Sequence, residues 1–331
     1  MVLKVGIIGC GVIGTRRANI IKSQNDSQVI AVADKDINKA KNLGVQLQCE
    51  YFNKWQKIIA NNEIEAVVIS TTNNLLAKIS YEAVLNKKHI LCEKPLGINI
   101  DEVEKAVTEA SKNKVVFKAG LTLRFHPGIQ KIKSVLEEDL IGKILFIRCR
   151  YGITGRPGYE KEWRCDPQLA GGGELIDQGI HVIDLFRWFI SNIQLISGYV
   201  GTLYWNTAVE DNAFALFSNN SNQIASLHVS WTQWNNIFSL EIFGEEGYII
   251  MEGLGGAYGA EKVVVGKKAP PDKWPPEETI FTYDDPQICW EDEWKDFVSA
   301  IKDKKDPCGS GKDGLEALKH VFRIYSLCKE T

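Results

Sequence analysis

A glycine-rich turn near the start of the chain constrains the fold more than any other feature of this 331-residue sequence. The apolar segment Val2–Ile8 runs directly into a GxGxxG pattern made of Gly9, Cys10, Gly11, Val12, Ile13 and Gly14. In this pattern the first glycine permits a tight turn, the second lets a ligand approach the backbone, and the third lets the next helix pack against the strand. A strand, this turn and a helix predict a parallel sheet covered by helices, with the six residues contacting a dinucleotide.

The end of the second predicted strand bears on which dinucleotide this is. The strand Val29–Asp34 ends on Asp34, 20 residues after Gly14. A carboxylate there binds the adenosine ribose hydroxyls, while the N-terminus of the first helix attracts the pyrophosphate. Because a 2′-phosphate would meet Asp34 with like charge, we expect NAD rather than NADP, although the adjacent Lys35 at the same site softens that preference. A glycine turn with a capping aspartate is the alternative interpretation.

The chain changes character near residue 120. Before it, continuous valine and isoleucine segments alternate with helical segments, which is typical of strands buried on both faces of a parallel sheet. After it, short segments in which apolar and polar residues alternate follow one another, which is typical of an antiparallel sheet. We therefore predict an α/β protein with a dinucleotide-binding Rossmann domain at residues 1–120. An α/β domain with an open-faced, mainly antiparallel sheet, for substrate binding and oligomerisation, follows at 121–331.

Alternation is clearest in the segment Gln223–Gln233, where Leu227, Val229 and Trp231 occupy one face. An open antiparallel sheet with such apolar residues needs cover on both faces, and the chain has few helices to supply it. We therefore expect self-association through the second domain, as a homodimer or homotetramer.

Composition narrows the class of partner. The formal net charge is −3 with acidic and basic residues mixed, which disfavours nucleic acid as a partner. No apolar run approaches the roughly 20 residues that span a bilayer, which disfavours a membrane protein. The eight cysteines form no CxxC pair, and no secretion signal is visible. We therefore expect a cytoplasmic protein without a metal site that acts on a small molecule.

The segment Glu93-Lys94-Pro95 directly follows the predicted strand His89–Cys92. Ligands of open parallel sheets bind beyond the carboxyl ends of the strands, so Lys94 is expected where the substrate meets the nicotinamide, and Glu93 beside the cofactor. A salt bridge at the strand end would be the interpretation of a lysine without further context.

A triple glycine, Gly171–Gly173, leads into a predicted helix that carries Asp177 and His181. These two residues are four apart and so share one helix face, with Asp184 about one turn further on. A carboxylate beside an imidazole orients it and stabilises its charged form. The alternative is a surface pair, which the preceding glycines make less attractive.

Taken together, these motifs resemble the Gfo/Idh/MocA family (glucose–fructose oxidoreductase and inositol dehydrogenase). The resemblance runs over nearly the whole chain and also includes Leu123-Arg124-Phe125 and Trp163-Arg164. It implies that Lys94, Asp177 and His181 form the catalytic group and that Trp163 and Arg164 reach the cofactor. It points to sugars, inositols or nucleotide sugars as substrates.

One segment departs from the family pattern. Many relatives have T-P-N-x-x-H after the fourth strand, whereas this chain has Thr72 at the proline position and Leu76 at the histidine position. Thr71, Thr72 and Asn73 stay predicted cofactor contacts. Arg124, and the basic and aromatic segment 151–164 with Arg156 and Tyr159, are predicted to contact the substrate. That segment is interpreted either as a lid over an oxygen-rich or anionic substrate or as a peripheral part of the domain junction.

The expected reaction is hydride transfer between nicotinamide and a secondary alcohol carbon. His181 would exchange the hydroxyl proton, Lys94 would stabilise alkoxide charge, and Asp177 would orient His181 and bind substrate. A glycosidase that uses NAD without net redox change is the alternative, and a non-enzymatic dinucleotide sensor is a weaker one.

Overall fold

The computed structural model describes residues 2–270, 272–285 and 287–330. The chain forms two compact units. The first contains the chain up to Thr122 together with Gln168–Gly171 and Trp290–Glu316. The second contains Leu123–Pro167, Gly172–Cys289 and the chain from Ala317 onward. Two stretches beyond residue 120 therefore belong by their packing to the first unit.

In chain order the first part forms β1 (Leu3–Ile8), α1 (Val12–Lys22), β2 (Ser27–Ala33), α2 (Ile37–Leu47), β3 (Glu50–Phe52), α3 (Gln56–Ile59), β4 (Ala66–Ile69), α4 (Asn73–Leu85), β5 (His89–Glu93), α5 (Ile100–Asn113) and β6 (Phe117–Gly120). The rest forms α6 (Pro127–Glu137), β7 (Ile144–Thr154), α7 (Pro167–Ala170), α8 (Ile180–Ile190), β8 (Gln194–Gly201), β9 (Asn212–Ser218), β10 (Ile224–Ser230), β11 (Thr232–Gly244), β12 (Gly247–Glu252), β13 (Glu261–Lys267), β14 (Glu278–Tyr283), α9 (Ile288–Asp303) and α10 (Gly311–Glu330). A π-helical turn, Leu175–Gly179, directly precedes α8.

The first sheet has the strand order β3-β2-β1-β4-β5-β6, and each neighbouring pair is parallel. Strand β4 is buried along its whole length, as its run of alanine, valine and isoleucine predicts. The strand order reverses between β1 and β4, and ligands of such sheets bind beyond the strand ends at this point. Because the glycine turn follows β1, it lies at the reversal. The predicted Rossmann fold is confirmed.

Helix α9 explains why a C-terminal stretch belongs to the first unit. Its residues Trp294, Phe297 and Val298 are buried in one apolar cluster with Leu3 and Val5 of β1. The indole Nε1–H of Trp294 also donates to the Ser27 hydroxyl at 3.1 Å. Local periodicity in a sequence does not indicate which unit such a helix packs against.

The second sheet has the order β14-β13-β12-β11-β7-β10-β9-β8. Strands β7 and β10 pair in parallel, and the other neighbouring pairs are antiparallel. The predicted, mainly antiparallel second sheet is therefore confirmed. One of its faces packs against the π-helical turn and α8.

The covered face is the one that carries Leu227, Val229 and Trp231, each of them 3% exposed or less. The chain itself therefore covers the face that carries these three residues. Alternation distinguishes the two faces of a strand but not which one the chain itself covers. The other face carries the residues between them, such as His228, whose ring stacks on Phe214 at 4.0 Å.

Strand β8 ends at Gly201. The cause is Asp211, whose carboxylate accepts the backbone N–H groups of Leu203, Tyr204 and Trp205 at 2.7–2.9 Å. Those groups are therefore diverted from a sheet ladder into a local turn. The backbone hydrogen bonds lower the pKa of Asp211 even though burial alone would raise it.

Within the described ranges, no helix combines the length and apolar character that crossing a bilayer requires.

Candidate functional site

The three glycines of the first turn have different surroundings. Gly9 has φ +97°, and a Cβ at Gly14 would lie 1.8 Å from the carbonyl oxygen of Gly9. By contrast, a Cβ at Gly11 would meet nothing within 4 Å, and the next side chain, Val12, is 79% exposed. The outer two glycines are therefore required by the turn and its packing, whereas the middle one faces open space. That space, beside the N-terminus of α1, suits a ligand that approaches the backbone.

Asp34 faces this turn from the end of β2. Its Oδ2 accepts the Cys10 backbone N–H at 2.7 Å, and its Oδ1 accepts the Asp36 backbone N–H at 2.9 Å. The carboxylate thus helps to hold the turn and is only half-buried, so the capping and ligand-binding interpretations are compatible. Lys35 is exposed beside it. Burial, with the nearby charge of Asp34, raises the pKa of the Cys10 thiol to about 12, so Cys10 packs as a neutral side chain.

The segment at the start of α4 is partly occupied by internal contacts. The Asn73 amide donates to the Ala170 carbonyl at 2.9 Å within the first unit. Thr72 donates its hydroxyl proton to Asn74 Oδ1 at 2.8 Å, and Thr71 is half-buried. Asn73 therefore fixes the stretch Gln168–Gly171, while Thr71 and Thr72 keep partial exposure.

The strand end before Lys94 is held by a buried ion cluster. The guanidinium of Arg17, on α1, bonds to Glu93 at 2.5 Å and to Glu293 of α9 at 2.8 Å. Glu293 also accepts the Thr122 hydroxyl at 2.9 Å. Burial raises the pKa of Glu93, and the charge of Arg17 opposes that effect. Burial of Arg17 would lower its own pKa, but the two carboxylates raise it. The cluster links the helix after the glycine turn to the half-buried Lys94.

In the second unit, Glu210 fixes the second glycine turn. Its carboxylate accepts the backbone N–H groups of Gly173 and Leu175 at 2.8 and 3.1 Å and the Tyr325 hydroxyl at 2.6 Å. Burial raises the pKa of Glu210, and these hydrogen bonds oppose that effect. A Cβ at Gly173 would lie 1.9 Å from the Glu210 carbonyl oxygen, so only glycine fits there. Sequence reasoning missed Glu210 and Tyr325 because both are distant in the chain.

The π-helical turn that follows carries Asp177, and α8 begins just before His181. The predicted single regular helix is therefore two segments, with a wider turn at Asp177. Arg164 Nε lies 3.5 Å from the Asp177 carboxylate, and His181 is buried with 9% exposure. π-helical turns inside helices occur frequently at functional sites.

Asp184 and Arg124 form a separate buried pair. Arg124 donates from Nε and Nη2 to the two carboxylate oxygens of Asp184 at 2.8 and 2.7 Å. Both residues are at most 4% exposed. Such a bidentate pair fixes α8 against the segment after β6.

The predicted substrate segment 151–164 divides into a strand and turns. Tyr159 is buried, with its ring edge-to-face on Trp231 at 4.9 Å. Arg156 is exposed and pairs with Glu162. The Arg164 guanidinium lies 4.8 Å from the Trp163 ring centre. Arg164 is therefore the member of this segment that the structure brings to a predicted catalytic residue, Asp177.

Two family models match the chain. Residues 3–121 match the model described as oxidoreductase family, NAD-binding Rossmann fold, and residues 129–250 match the C-terminal domain of the same GFO/IDH/MocA family. The chain belongs to the Gfo/Idh/MocA family of oxidoreductases. The predictions of an oxidoreductase and of NAD as its cofactor are confirmed.

Several relatives have names that describe an activity. Myo-inositol 2-dehydrogenase of Thermotoga maritima is 25% identical over 329 residues, 96% of this chain and 93% of that protein. Levoglucosan dehydrogenase of Pseudarthrobacter phenanthrenivorans is 34% identical over 151 residues, 45% of this chain and 38% of that protein. A solved structure of levoglucosan dehydrogenase in complex with NADH and levoglucosan has a TM-score of 0.90 at 21% identity, covering 100% of this chain and 98% of its own.

Proposed function

We propose that this oxidoreductase interconverts a secondary alcohol and a ketone on a polyol, inositol, sugar or nucleotide sugar. The observation that carries the proposal is the sequence of elements in the second unit. A glycine turn fixed by Glu210 leads to Asp177, which Arg164 approaches at 3.5 Å, and then to the buried His181. A relative that matches 96% of the chain is named for dehydrogenation of myo-inositol, which supports a polyol substrate.

The first unit has the features that NAD requires. The open space at Gly11, the absence of a side-chain cap at the described start of α1, and the half-buried Asp34 fit a pyrophosphate and a ribose. NAD, when bound, supplies the acceptor or donor of the hydride. Further cofactor contacts stay predictions from the family resemblance: Lys35, Thr71, Thr72, Asn73, Glu93, Trp163 and Arg164.

The proton chemistry is assigned to side chains of this chain. His181 takes the proton of the substrate hydroxyl on oxidation and returns it on reduction. Lys94 stabilises negative charge on the same oxygen. Asp177 orients the imidazole and binds a substrate hydroxyl, and Arg164 positions the Asp177 carboxylate through its ion pair. Arg124, Arg156 and Tyr159 were also predicted to bind substrate. The buried pairing of Arg124 and the buried packing of Tyr159 favour positioning of α8 and of segment 151–164 instead.

The test is NADH formation, followed by its absorbance, with myo-inositol, levoglucosan and a panel of nucleotide sugars, together with release of phenol from aryl glycosides. We expect net NADH formation with at least one neutral polyol or sugar. Glycoside cleavage without net NADH formation would instead establish the redox-neutral alternative. NADH binding without turnover of any compound would contradict the proposal.

We also propose that the protein self-associates, as a homodimer or homotetramer, through the face of the second sheet opposite the π-helical turn and α8. That face carries stacked Phe146 and Phe243 and an ion pair between Arg148 and Glu241. Aromatic surface with both charge signs suits a second copy of the same face. Sedimentation at micromolar concentration should give a dimer or larger species, and Phe243→Asp should give a monomer. A monomeric parent protein would refute this.

A further inference from the structure

A glycine-rich loop after β12 presents one tyrosine beside the predicted catalytic turn. Gly253, Gly255, Gly256 and Gly259 all have positive φ. Backbone hydrogen bonds close the loop, from Gly255 N–H to Gly259 O at 2.7 Å and from Gly253 N–H to Phe238 O at 3.0 Å. Several residues with positive φ so close together in the chain favour glycine at those positions. The single large side chain near its tip is Tyr258, which is half-buried.

Two contacts fix the Tyr258 side chain. The Gln178 amide donates to its hydroxyl oxygen at 3.2 Å. The Tyr151 ring packs against the Tyr258 ring at 5.6 Å between ring centres. Gln178 is the residue next to Asp177 in the π-helical turn. Tyr258 is therefore tied directly to the turn that carries a proposed catalytic carboxylate.

The orientation of the Gln178 amide leaves one of its polar atoms in an energetically unfavourable environment. Its Oε1 is buried, because the residue is only 9% exposed, and this atom has no hydrogen-bond partner among the described residues. A buried acceptor without a partner is unfavourable and needs an explanation. Donation from Nε2 to Tyr258 occupies the tyrosine oxygen as an acceptor. The hydroxyl proton of Tyr258 is then left to donate to another group.

The surroundings indicate which group would accept that proton. Burial, opposed by the Gln178 hydrogen bond, raises the pKa of Tyr258 to about 12, with added effects of Glu174 and Asp177, so the hydroxyl stays neutral. A neutral oxygen, such as a sugar or polyol hydroxyl, suits this donor.

We propose that Tyr258 is a specificity-determining residue that donates a hydrogen bond to a neutral hydroxyl of the substrate, and that Gln178 is its positioning residue. This inference rests on the proposed polyol-oxidoreductase function. It adds that one substrate hydroxyl other than the reacting one is recognised from the loop 253–259.

The experiment measures dissociation constants by calorimetry, in the presence of NADH, for myo-inositol and a set of its monodeoxy analogues. The variants are Tyr258→Phe and Gln178→Leu, with Tyr81→Phe as the matched control. Tyr81 lies on α4 in the first unit, where its ring contacts the Lys105 ammonium at 4.3 Å. We expect polyol binding to weaken about three- to tenfold in each test variant, the size of one neutral hydrogen bond, and to be unchanged in the control.

A deoxy analogue distinguishes recognition from loss of structure. Binding of the one analogue that lacks the recognised hydroxyl should be equal in the parent protein and in Tyr258→Phe, because the partner is already absent. With a turned-over substrate, KM should rise while kcat stays within about twofold. Parent-like polyol binding in both variants, an equal loss for every analogue, or no polyol binding by the parent protein would overturn the inference. Tyr258-dependent binding without turnover would support it while refuting the proposed function.

Discussion

Each unit contains a glycine turn that a carboxylate holds in place, and the two turns differ in what they leave open. Asp34 accepts one backbone N–H of the first turn, whose middle glycine, Gly11, faces open space. Glu210 accepts two backbone N–H groups of the second turn, where a Cβ at Gly173 would lie 1.9 Å from a carbonyl oxygen. The first turn can therefore bind a ligand through its backbone. The second is filled by protein, and its role is to fix the helical segment that follows.

If the second turn exists to place His181, removing that imidazole should have the largest effect on turnover. His181→Ala should lower kcat by about 10²–10⁴-fold, the usual contribution of a general acid or base. The dissociation constant for NADH, measured by fluorescence, should change little, because the proposed role concerns the substrate oxygen. Near-normal kcat in this variant on a true substrate would refute the assignment.

Glu210→Ala tests whether the second turn depends on its carboxylate. The substitution leaves the Tyr325 hydroxyl and two backbone N–H groups without their partner in a buried site. We expect the free energy of unfolding to fall by about 2–4 kcal/mol. The control is Glu63→Ala, which removes a carboxylate from an exposed pair with Lys4 and should cost less than about 0.5 kcal/mol. Equal losses in urea denaturation would contradict the structural role of Glu210.

A pair of glycine substitutions separates the two turns directly. Gly173→Ala places a methyl group against the Glu210 backbone and should lower stability by about 1–3 kcal/mol. Gly11→Ala meets nothing within 4 Å, so stability should stay within about 0.5 kcal/mol. Its methyl group would instead occupy the ligand's space and weaken NADH binding about tenfold or more. If Gly11→Ala binds NADH normally, the open space beside Gly11 is not the pyrophosphate site.

The contrast between the turns also shows where sequence information ends. The first turn is encoded locally, by glycine spacing and by Asp34, so the fold of this region could be predicted. The second turn depends on Glu210 and Tyr325, which are far from it in the chain and belong to no local pattern. The same is true of Arg17, whose partner Glu293 is 276 positions away.

Side-chain direction was harder to predict than element type. The alternation of Leu227, Val229 and Trp231 correctly predicted a strand, but it did not indicate which face the chain itself covers. Which face is covered depends on where α8 and the π-helical turn pack, and periodicity within one strand does not encode that. The regular helix predicted for Asp177 and His181 failed at the π-helical turn for a similar reason, because sequence spacing assumes a constant helical period.

The smallest predicted effect concerns the charge of the first turn. Asp34→Asn keeps an oxygen that accepts the Cys10 N–H and removes the negative charge that a 2′-phosphate would meet. A single like-charge contact near the surface costs about 1 kcal/mol, so NADPH binding should tighten about fivefold relative to NADH.

Asp36→Asn is the matched control for Asp34→Asn. It lies two residues further on and caps α2 by accepting the Asn38 N–H at 3.0 Å, so the NADPH to NADH ratio should not change. Fluorescence titrations of the parent protein come first, because equal or tighter binding of NADPH there would already refute the role of Asp34. An unchanged ratio in Asp34→Asn would mean that the carboxylate holds the turn without selecting the cofactor, which would make the first turn resemble the second more closely than its open space indicates.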